Sequence, residues 1–244
     1  MKQRGKAQRR GLRKREKGDR RRDGRELAFY ESDWPVGPDV VSATPAELVK
    51  AIEALPRELT WDVVAPRMIP LFERVRPYPP GMPPPIGMLV PPGVRIGFGL
   101  DIGPAFVTVS DALASEWAKS PADMAAQAMA NLHHLASEVA QAEVFHGPVG
   151  DVETAWLQTK RGIGSVLVLA PTELRRIFGG QPRQFVAPMR DLLIGFSAEG
   201  DPEFAAWLFA DIASQDPNCL HPRLFTFDGR QVGLRRLHIP GLTA

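Results

Sequence analysis

Two aspartates stand at predicted bends, where a carboxylate could do chemistry. Asp101 follows the strand-like segment 94–100, and Asp191 precedes the strand-like segment 192–196. Two carboxylates can act as general acid and base, or bind a divalent ion, if the fold brings them together. Aspartates at bends also accept backbone hydrogen bonds and so stabilise the turn. We expect this second role for both residues.

Two further polar residues are candidates for a site. Arg190 adjoins Asp191 and could stabilise an anion, which would complete a hydrolase site with the two aspartates. Asn131 lies in an apolar predicted helix, where its amide could orient a ligand or satisfy a buried backbone group. We expect the structural role for Asn131, because buried amides usually find structural partners.

Metal and cofactor chemistry has no local pattern in this sequence. His133 and His134 are adjacent, so on a helix they point about 100° apart and cannot share an ion. Cys219 is the single cysteine, so it has no partner for a thiolate metal site. The glycines within 97–103 run into a strand instead of opening a helix, unlike a dinucleotide-binding loop. We therefore predict neither a metal nor a cofactor, and place His146, His221 and His238 in surface loops.

Positive charge is concentrated at the start of the chain. The first 25 residues hold 13 of the 30 Lys and Arg residues against three acids. Residues 1–26 have too few apolar side chains to repay the entropy of ordering, so we predict a disordered tail. With no aromatic residue before Ala28, polyanion binding by the tail would be blind to base sequence. The candidate contacts are Arg9, Arg10, Arg13, Lys14, Arg15, Arg20, Arg21 and Arg22.

Composition favours a cytoplasmic protein whose partners the sequence does not name. A single cysteine excludes an intramolecular disulfide and fits a reducing compartment. No apolar stretch follows the basic residues as in a signal peptide, and no run reaches the roughly 18 to 20 apolar residues of a membrane span.

Proline density divides the chain. Eight prolines fall within the 16 residues from Pro77 to Pro92, which excludes a helix and favours an extended connection. We accordingly divide the chain into a tail (1–26), an N-terminal helix and strand segment (27–76), the proline-rich connection (77–93) and a main domain (94–244).

Periodicity and turn chemistry predict an α+β fold of antiparallel hairpins packed with helices. Helices are expected at 45–55, 110–119, 121–142, 171–178 and from Pro202. Strands are expected at 94–100, 105–109, 152–158, 184–187, 192–196, 224–227 and 231–234, with an edge or interrupted strand within 63–75. The segment SVLVLA before Pro171 fits either a strand or a buried helix.

Two blocks of the sequence resemble the YtpQ-like family of uncharacterised bacterial proteins. They span Gly97 to Leu132 and Phe185 to Asp201, and the resemblance extends from Ile69 to Val232. The Arg-rich head and the proline-dense stretch depart from the family pattern. The resemblance implies no activity, because none is assigned to the family. The matching positions are Leu100, Asp101, Gly103, Ala128, Asn131, Leu132, Pro188, Asp191 and Leu193.

Three functions remain open at this point. The leading hypothesis is a binding or regulatory module whose working face lies near Asp101 and Asp191. The second is a hydrolase that uses Asp101, Asp191 and Arg190. The third is a protein that associates with nucleic acid through its basic tail, against which the net negative charge of the rest of the chain argues.

Overall fold

The α+β architecture is confirmed by a computed structural model that describes residues 44–72, 85–90, 94–103, 105–215, 219–220 and 222–237. The α-helices are α1 (Pro45–Glu53), α2 (Trp61–Val64), α3 (Asp111–Glu116), α4 (Pro121–Ser137), α5 (Pro171–Phe178) and α6 (Pro202–Gln215). Short 3-10 helices cover Ala65–Arg67, Gln141–Glu143 and Ser165–Leu169. The strands are β1 (Met68–Phe72), β2 (Gly87–Val90), β3 (Val94–Asp101), β4 (Phe106–Thr108), β5 (Phe145–Val149), β6 (Val152–Gln158), β7 (Arg183–Met189), β8 (Leu192–Ser197), β9 (Arg223–Phe227) and β10 (Val232–Arg236).

Capping residues begin the helices as the sequence predicts. Thr44 and Glu47 form a capping box at α1, and Ser120 and Asp123 form another at α4. In each box the hydroxyl accepts from a backbone N–H of the first turn, while the carboxylate accepts from the capping residue. Ser110 caps α3 in the same way through Leu113 N.

The smaller sheet is built around β3. Strand β1 pairs antiparallel along one edge of β3, with Met68 opposite Leu100. Strands β2 and β4 pair with the two halves of β3, and because β1 spans both halves they must share the opposite edge. Pro70 lies in β1, whose position at an edge of this sheet tolerates a residue without an N–H.

The larger sheet joins six described strands in the order β10-β9-β7-β8-β6-β5, all antiparallel. Alternate residues of each strand face opposite sides. Leu157, Phe185 and Leu193 face a core shared with the smaller sheet, α4 and α5. Trp156 and Ile194 face a second core, which α6 covers.

A third core lies on the other face of the smaller sheet. Phe98 and Leu100 of β3 pack there with Val64 of α2, Trp117 and the first half of α4. The two sheets and their helices therefore form one continuous body. The proline-rich connection does not separate a second domain in the described residues, because β1 before it and β3 after it share a sheet.

Several local predictions are wrong in extent or type. α4 ends at Ser137, not near 142, and α3 ends at Glu116, because Ala118 takes a left-handed φ of 49° that a helix cannot continue. The predicted strand around 63–75 begins as helix α2. Residues 87–90 of the proline-rich connection form strand β2. His146 lies in strand β5, not in a loop. This strand was not predicted because it contains Gly147 and Pro148, two residue types that are rare in strands.

The SVLVLA segment forms a largely buried helix of the 3-10 type, Ser165–Leu169, so the helical alternative is correct and the strand is not. The predicted basic tail and its Arg and Lys contacts lie outside the described residues, as do His221 and His238. Within the described part of the chain, no helix is both long enough and apolar enough to cross a bilayer.

Candidate functional site

Asp191 lies at the bend between β7 and β8 and anchors a neighbouring loop. The Thr159 hydroxyl donates a hydrogen bond to Asp191 Oδ1. The Gly164 N–H donates to the same oxygen at 3.2 Å. Burial raises the pKa of the Asp191 carboxyl above its ordinary value of 3.8, although the bonds from Thr159, Gly164 and the Lys160 backbone oppose that rise. The carboxylate is therefore committed to holding the loop 159–164.

This loop, which we call the anchored loop (Thr159 to Gly164), has an unusual backbone. Lys160 has a φ of 55° and Gly162 a φ of 71°. A left-handed conformation costs a residue with a Cβ about 1 to 2 kcal/mol, so the contacts of the loop must hold Lys160 in place. Gly164 approaches the bend so closely that a Cβ would lie 2.6 Å from the Asp191 carbonyl carbon. Ser165 N also donates to Arg190 O at 2.9 Å.

Asp101 stabilises the bend between β3 and β4. Its Oδ1 accepts from Gly103 N at 2.7 Å, and Gly103 has a φ of 90°. Ile102 N donates to Ala105 O at 3.0 Å and closes the turn. Asp101 is partly exposed, so its carboxylate keeps a side open to solvent.

Phe106 brings the two bends together. It stands opposite Asp101 in the β3–β4 pair. The Arg190 guanidinium carbon lies 5.3 Å from the centre of its ring. A Cβ on Gly162 would overlap the same ring. Since opposed Cα atoms are about 5 Å apart, both bends lie on one flank of the molecule. We call Asp101, Phe106, Lys160, Arg161 and Arg190 the hairpin face.

The charges on the hairpin face are mostly positive. Lys160 is exposed. Arg161 Nη1 lies 3.4 Å from Glu138 Oε2 and also donates to Leu135 O. Arg190 is half-buried over Phe106, an arrangement that lowers the cost of desolvating a guanidinium. The face thus presents cations beside an aromatic ring.

Asn131 belongs to the scaffold. Its Nδ2 donates to Ala65 O at 2.6 Å and to Met68 O at 2.8 Å, while its Oδ1 accepts from Gln127 at 3.0 Å. Both donors of the amide are thereby used. These hydrogen bonds join α4 to the segment that leads into β1. Asn131 is distant in sequence from the bends at Asp101 and Asp191.

The opposite face of the β3–β4 hairpin carries an apolar slot with a volume of about 20 Å³. Leu100 and Val107, which stand opposite each other in the pair, form its floor. Its walls come from the segment after α1 and from α2, and Arg67 is the charged residue on its border. The remaining lining residues are Leu55, Leu59, Val63, Val64 and Ile102.

Among the described residues, no group of three His, Cys, Asp or Glu side chains is placed to hold an ion. His134 Nε2 lies 3.8 Å from Oε1 of Glu138, which is four residues further along the chain.

Sequence reasoning missed the residues around Asp191. Thr159, Lys160 and Gly164 are distant from Asp191 in the chain, and only the pairing of β6 with β8 brings them together. The local signal was the run TKRGIG, whose two glycines mark a loop with special backbone geometry. Phe106 and Arg67 had no such signal.

Comparison with known proteins gives no match: no family model, no curated protein and no solved structure is significantly similar to this chain.

Proposed function

We propose that this protein is a non-catalytic binding module and that the hairpin face recognises an anionic group of its partner. One observation carries the proposal: Asp191 is used to hold the anchored loop, which presents Lys160 and Arg161 beside the Arg190–Phe106 pair. Strained backbone conformations such as that of Lys160 concentrate where ligands bind.

Charge reversal at Lys160 tests this function. The full-length protein is titrated into a fluorescein-labelled hexaglutamate peptide at low salt, and binding is followed by fluorescence anisotropy. Lys160→Glu is expected to weaken binding about tenfold, which corresponds to about 1.4 kcal/mol. Lys50→Glu is the matched control, since Lys50 is an exposed lysine on α1. An equal loss in both variants would show that only overall charge matters, and the hairpin face would not be the site.

The hydrolase with Asp101, Asp191 and Arg190 is the second candidate. Two observations favour it: the bends share a flank, and burial raises the pKa of Asp191, as in many general acids. The wild type would have to hydrolyse p-nitrophenyl acetate or p-nitrophenyl phosphate. Loss of this turnover in Asp101→Asn and in Asp191→Asn, with an unchanged melting temperature, would support the hydrolase. A wild type inactive on a broad ester panel would count against it.

The nucleic-acid association and the YtpQ-like kinship also remain proposals. Removing residues 1–25 should abolish salt-dependent retention on heparin if the tail binds polyanions. Unchanged retention at low salt would contradict the tail hypothesis.

A further inference from the structure

Helix α1 carries apolar side chains that the rest of the protein leaves exposed. Val49 and Ile52 are exposed to 54% and 56%, and no residue of the helix is buried. The two residues are three apart, so their side chains lie on the same side of the helix. An amphipathic helix of a globular protein normally buries its apolar side against the core. We call Val49 and Ile52 the α1 stripe.

The α1 stripe lies beside the side of the helix that contacts the rest of the protein. Leu48 and Leu55, seven residues apart, are partly buried and mark that contact side. Glu53 follows Val49 by one helical turn and borders the stripe. Since the helix carries two acids, Glu47 and Glu53, against one cation, Lys50, it offers an apolar group without an attraction for anions.

The attraction for an anionic surface comes from the start of the chain. The first 25 residues hold 13 Lys and Arg residues against three acids. Leu12 is the single large apolar residue between Lys2 and Arg25. Such a segment is attracted to the negative surface of a bilayer, but it has almost no apolar group to insert there. The tail and the α1 stripe therefore supply complementary parts of one interaction.

An anionic bilayer suits both features, whereas other partners suit one of them. A bilayer takes up a few apolar side chains at shallow depth, and stable anchoring requires a second signal such as a polybasic segment. Nucleic acid would bind the cations but presents phosphates, not an apolar phase, to Val49 and Ile52. A stable protein interface buries about 800 Å² on each partner, which is more than two side chains of a 9-residue helix supply.

We infer that this protein binds the surface of an anionic lipid bilayer through the basic tail and the α1 stripe. The tail draws the protein to the lipid headgroups. Helix α1 then lies along the membrane plane, and Val49 and Ile52 enter the boundary between headgroups and acyl chains. This surface is additional to the hairpin face and does not require it.

Flotation of the full-length protein with vesicles tests the inference. It is expected to float with phosphatidylcholine vesicles that contain about 30% phosphatidylserine, and not with phosphatidylcholine alone. The double change Val49→Ser and Ile52→Ser should weaken binding about tenfold, because the inserted apolar groups are lost. The matched control is Met88→Ser with Leu89→Ser, at exposed apolar residues of β2, which should leave binding unchanged. A thermal melt verifies that both variants fold.

The tail is tested in the same assay. Arg20→Gln, Arg21→Gln and Arg22→Gln are combined in the full-length chain. Binding to the anionic vesicles should fall by at least about tenfold, because each cation near the surface adds to the attraction. Duplex DNA is the competing polyanion, and the Val49→Ser and Ile52→Ser variant should bind it as the wild type does.

Several results would overturn the inference. They are no flotation, equal flotation with both kinds of vesicle, equal losses in the two serine variants, or full binding after the three arginine changes. Vesicle binding that duplex DNA abolishes and that the change of Val49 and Ile52 leaves intact would identify a general polyanion tail instead. If Lys160→Glu, and not the change of Val49 and Ile52, removed flotation, the hairpin face would be the lipid-binding surface. The inference about α1 would then fail while the proposed binding function stood.

Discussion

At the scale of single residues, the polar groups singled out by the sequence hold the chain together. Asp101 closes its own turn, Asp191 holds a loop, and Asn131 ties α4 to the start of β1. Their chemical types are predictable from sequence, but their partners are not, because Asn131 bonds to Ala65, 66 residues away.

Asn131→Ala is expected to destabilise the protein by about 2 to 4 kcal/mol, because two part-buried carbonyl groups lose their donors. Gln127→Ala removes only the bond to Asn131 Oδ1 and should cost about 1 kcal/mol. Urea unfolding followed by circular dichroism gives both values. Equal costs would mean that the two bonds to the β1 segment contribute little.

Asp191 should stabilise the folded protein more at low pH than at neutral pH, which is the reverse of the effect of a carboxyl group with a lowered pKa. Because its folded pKa is raised above 3.8, the folded state binds the proton more tightly than the unfolded state does. The stabilisation of the folded state by this proton is fully present below the pKa that Asp191 has in the unfolded chain, and it is lost as the pH rises through the pKa that Asp191 has in the folded protein. The free energy of unfolding of the wild type, relative to Asp191→Asn, should therefore increase as pH falls from neutral toward 4.

The comparison with Asp191→Asn isolates this group from others that titrate in the opposite sense. Hydrogen bonds lower the pKa values of three other carboxyl groups: backbone N–H groups are the main donors to Glu47 and Asp228, whereas the Ser120 hydroxyl, followed by the Ser120 N–H, is the main donor to Asp123. Their contributions are lost on acidification and cancel between the two proteins. A difference that stays constant with pH would contradict the assigned shift.

At the scale of elements, capping and turn residues predicted most helices and strands, but they did not predict the loops that have unusual backbone conformations. α5 begins at Pro171 and stops at Gly179, as the sequence indicates. The strand 152–158 was also predicted with its observed bounds. The anchored loop could not be derived in this way, because its conformation depends on a carboxylate from a distant bend.

Gly162→Ala tests the packing of the anchored loop. Gly162 has a positive φ, and a Cβ there would overlap the Phe106 ring. We expect a loss of about 2 to 4 kcal/mol, since backbone strain and overpacking add. Gly150→Ala is the control, because Gly150 has a φ of 61° with open space around it. That change should cost only the backbone strain, about 1 to 2 kcal/mol, and a similar cost at both sites would mean that Phe106 moves aside freely.

At the scale of the whole molecule, the two sheets share a core. The Phe72 ring of β1 stacks on Phe225 of β9 at 5.6 Å between centres. Leu132 and Ala136 of α4 lie in the same cluster. We therefore expect the sheets to unfold in one cooperative transition.

Phe72→Ala tests this coupling. The change should cost about 3 to 5 kcal/mol, as for other buried aromatic residues. Hydrogen exchange under increasing urea should show β3 and β6 losing protection at the same denaturant concentration, in the variant as in the wild type. Separate transitions for the two strands would contradict a single unit.

Local chemistry in the sequence determined the element types, their caps and the α+β class. Apolar periodicity and turn residues act over a few neighbours, so they can be read along the chain. Only the tertiary structure decided that Asp191 serves the anchored loop, that Phe106 joins the two bends, and that the slot lies behind them. These arrangements arise from strand pairing between distant segments, and the free energy of such contacts depends on neighbours that no short stretch of sequence contains.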